Sequence, residues 1–385
     1  MTLVTIEEHA RRVGALRQAM AQHELDALLV AGKGHWWTGR GYLRYLTDFH
    51  LWGHDGMLLL PGEGEPRMVL TSPAVARRVA DRGFVQDVRG DFNLAPTMAT
   101  MLREARLDGG TIGVVGYDWI LPVGRLDALQ EAHPKARFVN ADRVFDDVRA
   151  VKSPLELDQA RELWPVMRAA MDAFEEALTP GRTRQAATAE AIRAAHALGA
   201  RDVLVFIGED PTDVNPPTAA PLRCDDVVRI HLEICGASGH WCERTMMYAF
   251  RDPTPAELAI ETAEIAAFDA VRAAGRPGTT LRALMDVYEA VLGDHGFRVT
   301  APSHHFDLHG QGLDAIEYPR FSSADPAGTH PDVALREGMV FSYHPFRPVT
   351  PADVWGPDLH DNVVVTADGL ERLSGDWDLR WKRMG

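Results

Sequence analysis

The sequence predicts a mixed α/β chain of two domains, a small N-terminal α/β domain over residues 1–150 and a larger domain over residues 151–385. Three observations carry this. A chain of 385 residues is too long for one ordinary core. Apolar strand-like runs alternate with helical patterns through the first 150 residues. Beyond residue 150 the pattern changes to long helices followed by β-rich sequence with Pro and Gly punctuation.

In the first domain, Ile6, Val13, Leu16 and Met20 fall at helical spacing within residues 5–23. DALLVAG (26–32) reads as a buried strand closed by Gly32, and MLLLP (57–61) and RMVLT (67–71) as two strands around GEGEP. Helices are expected near 73–82 and 95–106, and a short strand at TIGVVG (111–116). In the second domain, Ser153 is a helix N-cap with Pro154 at the first helical position. That helix is expected to run to about 178, where TPGRT stops it. A helix over 183–199, strands at 203–208, 227–235 and 240–250, and helices over 255–274 and 280–295 follow.

Bulk composition narrows the partners. A net charge of −15 repels nucleic acid and anionic membrane surfaces, so neither is expected as a partner. No apolar run reaches the ~18–20 residues of a membrane span. The opening residues carry no apolar block of a signal peptide, which implies a cytoplasmic protein. Cys224, Cys235 and Cys242 are too few and too irregularly spaced for a disulfide framework or a zinc knuckle, and read as reduced thiols.

Several segments in order resemble the creatinase/prolidase/aminopeptidase P superfamily: VKSPLEL, DDVVRIHLEI with GHWCERT, HHFDLHGQGLD, REGMVFSYHP and LHDNVVVTADGLERL, with RYLTDF in the first domain. The resemblance implies a C-terminal pita-bread domain, a curved antiparallel sheet covered by helices, behind a creatinase-like α/β domain. It also implies a homodimer in which the N-terminal domain of one chain, through Trp52 and His54, lies near the active site of its partner.

In the metallopeptidase members, two aspartates, one histidine and two glutamates hold a pair of divalent ions. This sequence departs from that pattern. The histidine is kept as His309, His344 and His360 stand at the two glutamate positions, and Glu243, four residues after Gly239, stands at the second aspartate position. The first aspartate position falls on Leu232, between His231 and Glu233, and a one-residue shift would bring either into place. Those two share a strand face because side chains alternate with period two. An imidazole gives one lone pair and does not bridge as a carboxylate does. The resemblance thus implies one ion, Zn, Fe, Mn, Cu or Ni, on Glu243, His309, His344 and His360.

Around that set, His231, His305 and Glu233 are the candidates to move protons, and Asp361 to orient His360 from behind. Arg244 and Arg347 are candidates to clamp a substrate carboxylate. Asn215 stands near the place of a substrate-contacting histidine of the peptidases, whose absence tells against peptide cleavage. The expected function is a hydrolase or lyase acting on a small organic molecule. The alternatives are a metal-free C–N hydrolase of the creatinase type with His231 as base, a non-catalytic binding protein, and a metallopeptidase.

Overall fold

A computed structural model describes residues 4–34, 38–208, 211, 215–297, 307–322, 332–344, 354–357 and 359–384. It divides into two compact units that meet in the chain between Ala150 and Val151.

The first unit is built on a six-stranded sheet of β1 (Ala27–Lys33), β2 (Asp55–Pro61), β3 (Arg67–Leu70), β4 (Asp87–Gly90), β5 (Thr111–Val115) and β6 (Arg137–Asn140), in the order β4-β3-β2-β1-β5-β6. Parallel and antiparallel pairings mix: β1 runs antiparallel to β2 and parallel to β5. The central strands read as unbroken apolar runs because both faces are covered. The first helix, Ile6–Gln22, is capped by the Thr5 hydroxyl, which accepts from the Glu8 amide. Sequence periodicity misses the helices Gly41–Thr47, Val123–Ala132 and Asp142–Arg149; the last buries only Phe145, Asp146 and Arg149.

The second unit stacks helices on two largely antiparallel sheets. One sheet holds β7 (Asp202–Gly208), β8 (Val227–Cys235), β9 (Trp241–Ala249) and the short β15 (Lys382–Arg383), in the order β15-β9-β8-β7. The other holds β10 (Asp307–Gly310), β11 (Glu317–Ser322), β12 (Val340–Tyr343), β13 (Asp361–Thr366) and β14 (Gly369–Arg372), in the order β11-β10-β12-β13-β14.

The helix expected over 153–178 is two helices, Pro154–Arg161 and Trp164–Ala177. Pro165 explains the break: it lacks an amide hydrogen, is tolerated only in a first helical turn, and here opens the second helix. The first keeps its full capping box between Ser153 and Glu156.

Helices Trp164–Ala177 and Arg184–Ala197 bury Met167, Met171, Phe174, Ala187 and Ala191 against Ile230, Leu232, Cys242, Met246 and Tyr248 of β8 and β9. This apolar layer takes every second residue of the hairpin and sends the residues between them to the opposite face. On the second sheet, Phe268 of helix Pro255–Ala274 meets Tyr343 at a centroid distance of 4.5 Å. The faces left over, one from each sheet, carry the polar residues described next. Phe174 is fully buried with its ring 5.7 Å from Tyr248. Phe174→Ala is expected to cost about 3–5 kcal/mol of stability, read by urea unfolding of the whole chain.

Candidate metal and hydrolytic site

The β8–β9 hairpin sets half of the site through its register. His231 lies opposite Thr245 and Glu233 opposite Glu243, so four polar side chains share one face. Leu232 and Arg244 point the other way, Leu232 into the apolar layer under the helices. Both His231 and Glu233 lie on the strand face shared with Glu243. The turn between the strands needs Gly239, whose φ of 89° lies in the left-handed region.

The second sheet supplies the rest. His309 of β10 pairs with Ser342 of β12, and Ser342 with Asn362 of β13. His344 follows β12 and His360 precedes β13, so His309, Ser342, His344, His360 and Asn362 lie on one face. A bulge follows His309 at Gly310. A Cβ on Gly310 would come within 2.7 Å of the Tyr318 carbonyl oxygen, so only glycine fits beside this histidine.

The imidazoles converge on Glu243. Its Oε1 lies 3.7 Å from His309 Nε2 and its Oε2 3.9 Å from His231 Nε2. Ring centroids are 4.8 Å apart for His309 and His344, 4.7 Å for His344 and His360, and 4.7 Å for His231 and His360. Potential ligand atoms of Glu243, His309 and His344 all fall within 4.8 Å of one another, and those of His231, Glu243 and His360 do likewise. All of these residues are buried except His344, which is half-buried.

This donor set fits a transition-metal ion. His309 Nδ1 lies 2.9 Å from the Gly310 carbonyl oxygen. A carbonyl only accepts, so Nδ1 carries the proton and the Nε2 lone pair is turned toward Glu243. Burial pushes the pKa of His309 down to about 4, opposed by its bond to Gly310 and by Glu233, and reinforced by Arg320 and His360. At neutral pH it is an uncharged donor.

His231 is held differently. Its Nε2 lies 3.2 Å from Glu233 Oε1, and its Nδ1 lies 3.0 Å from Thr245 Oγ1 and 2.9 Å from His360 Nδ1. With Nε2–H donated to the carboxylate, Nδ1 is the accepting nitrogen. A carboxylate-oriented imidazole of this kind suits proton abstraction.

Two expectations require correction. Asp361 does not orient His360. As the next residue along the chain it points to the other side, where its Oδ2 accepts from Arg244 Nη1 at 3.0 Å, Arg372 Nε at 2.7 Å and Ser374 Oγ at 2.7 Å. Arg244 is likewise no substrate clamp: it is fully buried behind the site, bonded to Asp361 and through Nη2 to the Asp378 carbonyl, 2.7 Å away.

Asn215 is exposed, and its backbone bridges to Ile207. In the first unit, Trp52 is exposed, and His54 Nδ1 lies 3.4 Å from the Thr71 hydroxyl. His305 and Arg347 lie outside the described residues.

Sequence reading missed Arg320. It pairs with His309 across β10 and β11, so it shares the site face, and its side chain is 44% exposed, 3.8 Å from Asp307. The period-two spacing of Tyr318 and Arg320 in EYPRF is the signal that marks it.

Residues 158–367 match metallopeptidase family M24, and residues 12–151 match the creatinase/prolidase N-terminal domain. The chain is 23% identical over 397 residues to the ectoine hydrolase of Halomonas elongata, covering 96% of each protein. It is 22% identical over 265 residues to the Xaa-Pro dipeptidase of Pyrococcus horikoshii, covering 68% of this chain and 72% of that one. Among crystal structures, the prolidase from Pyrococcus horikoshii aligns with a TM-score of 0.77 at 20% identity, over 96% of this chain and 100% of that one. The X-Pro aminopeptidase from Thermotoga maritima aligns with a TM-score of 0.80 at 16% identity, over 97% and 99%. Structural likeness at these identities establishes the fold, a pita-bread domain behind an α/β domain.

The buried His309 makes stability depend on pH. Its folded pKa of about 4 lies below the unfolded value near 6.5, so the unfolded chain binds the proton first. Stability is full above pH ~6.5 and falls as pH drops toward 4, by about 3 kcal/mol from this group. In metal-free protein, denaturant midpoints measured across that range are expected to fall less for His309→Gln than for the parent.

Proposed function

The chain belongs to metallopeptidase family M24, and from that membership we propose a hydrolase acting on a small molecule at a histidine-rich centre for one divalent transition ion. Glu243, His309, His344 and His360 hold the ion, and His231 paired with Glu233 is the general base. Two groupings that share Glu243, one with His309 and His344 and one with His231 and His360, support this reading. Zn, Fe, Mn, Cu and Ni all suit imidazole with one carboxylate.

Charge supports one ion over two. The imidazole cluster holds two carboxylates, Glu233 and Glu243, which offset one divalent ion. A second ion adds two charges that, among the described residues, no further carboxylate in contact with these imidazoles offsets. Like charges repel by about 4 kcal/mol per unit pair at ~4 Å and an effective dielectric of ~20.

When bound, the ion supplies Lewis acidity toward a carbonyl oxygen or lowers the pKa of a water. The chain's own residues do the rest. His231 accepts the proton once its Nδ1 parts from His360 Nδ1, Glu233 holds the ring in place and offsets the imidazolium that forms, and Arg320 meets an anionic group of the substrate. The substrate is a small compound with an amide or related C–N bond, a reading supported by the dipeptidase and ectoine hydrolase relatives. The enzyme works in the cytoplasm as a homodimer, with Trp52 and His54 turned toward the partner's site.

A metal-free C–N hydrolase is the second reading, favoured by the Glu233–His231 pair, which needs no ion to orient the base. Metal analysis and activity after chelation separate the two. One equivalent of tightly bound Zn, Fe, Mn, Cu or Ni per chain and loss of turnover with chelator are expected. Full activity of metal-free protein overturns the metal reading, and two tight equivalents overturn the single ion. His309→Ala and His344→Ala are expected to weaken binding of the ion at least about tenfold. His231→Ala is expected to keep the ion and lower kcat about 10²–10⁴-fold. For an anionic substrate, Arg320→Ala is expected to raise KM more than it lowers kcat.

A further inference from the structure

The candidate ligands come from two different sheets. Glu243 belongs to the sheet of β7, β8, β9 and β15, whereas His309, His344 and His360 are carried by the sheet of β10 to β14. Among the described residues no strand ladder joins these sheets; the Trp241 amide of β9 donates to the Gly312 carbonyl just beyond β10 at 2.8 Å, and the remaining spacing between Glu243 and the imidazoles depends on what ties β9 to β13.

Two polar ties link β9 to β13 among the described residues. The Glu243 amide donates to Asn362 Oδ1 at 3.0 Å. The next residue on each strand forms the second tie: Arg244 Nη1 donates to Asp361 Oδ2 at 3.0 Å, both side chains being at most 1% exposed. Arg372 Nε and Ser374 Oγ donate to the same oxygen, and Arg372 Nη2 donates to the Trp377 carbonyl. The Arg244 guanidinium also lies 5.1 Å from the Trp377 ring. The Arg244–Asp361 tie thus lies one residue from Glu243 and one from His360, and Asn362 lies two residues from His360.

We propose that Arg244, Asp361 and Asn362 are positioning residues: a latch between the sheets that sets the distance from Glu243 to the imidazoles and so governs the affinity of the centre for its ion. The inference rests on the metal reading above and deepens it. The geometry of a buried ion pair suits this task. Its strong charge-assisted bonds tolerate little displacement. Partners of metal ligands typically change affinity 10–100-fold when removed.

The test uses full-length protein and Co²⁺ as probe. Arg244→Met keeps bulk and removes the charge, and Asn362→Leu removes the acceptor of the Glu243 amide. Each is expected to weaken Co²⁺ binding about 10–100-fold and to alter the visible absorption of the bound ion. Arg244→Lys, which keeps the charge without the fork, is expected to recover part of the affinity. Ser374→Ala, the mildest cut, is expected to lower affinity several-fold and serves if Arg244→Met does not fold.

Arg184→Met is the control. It breaks a different buried ion pair of the same unit, Arg184–Asp226 at 3.1 Å, and is expected to lower stability with affinity and spectrum unchanged. Equal loss of affinity in this control, or folded latch variants with parental affinity and spectrum, overturns the latch. A crystal structure of metal-free Arg244→Met decides the point if the parent binds no ion. Separation of Glu243 from His360 by about 1 Å or more, the misplacement that matters at such sites, upholds the latch although the metal reading has failed. An unchanged separation overturns the latch.

Discussion

Where β9 lies against β13, the guanidinium of Arg244 meets the carboxylate of Asp361, and the amide of Glu243 meets the side-chain oxygen of Asn362. The remaining site geometry hangs on this seam. On one side of it the helices bury a dense apolar layer, and on the other the polar faces of two sheets are brought together. The charges at the seam are out of water, so they tolerate neither loss of a partner nor drift. Breaking one such buried pair typically costs about 3–5 kcal/mol.

The same seam explains how so many polar side chains sit inside one domain. Alternation along β8 and β9 sends Ile230, Leu232, Cys242, Met246 and Tyr248 to the helices and leaves His231, Glu233, Glu243 and Thr245 opposite them. Burying those groups is unfavourable unless each finds a partner. They find one another: His231 touches Glu233, Thr245 and His360, and Glu243 lies against His309 and His231. Removing the apolar layer would leave nothing to hold this face dry.

The imidazoles gathered around Glu243 set the electrostatics of this site. The rings of His344 and His360 carry no fixed negative charge, and His309 is held uncharged by its burial. Less negative charge offsets less positive charge, which limits the ions that the pocket tolerates. It also leaves imidazoles in contact with one another, a network through which a proton can pass. Membership in a family of metallopeptidases therefore fixes the scaffold and the place of chemistry, while these residues decide which chemistry is done there.

The sequence by itself determined the two-part α/β architecture, because hydrophobic periodicity and capping signals are local properties of the chain, and its ordered motifs, through their resemblance to a known family, pointed to the pita-bread fold and to a hydrolase or lyase. Ser153, Pro154 and Glu156 announce a helix start without any tertiary help. The break at Pro165 was legible in principle but was overridden by the helical pattern around it. The helix Asp142–Arg149 buries too few residues for its period to stand out. At the site, the sequence nominated the histidines and Glu243 but left Leu232 between two candidates. Only the pairing register of β8 with β9 brings both His231 and Glu233 to the site and turns Leu232 to the core. Tertiary structure alone also turned Arg244 and Asp361 away from the substrate and toward each other, 117 residues apart in sequence, and brought Arg320 beside His309. Neighbours in the chain point to opposite faces of a strand, and which face meets water, metal or core is decided by the sheet that packs against it.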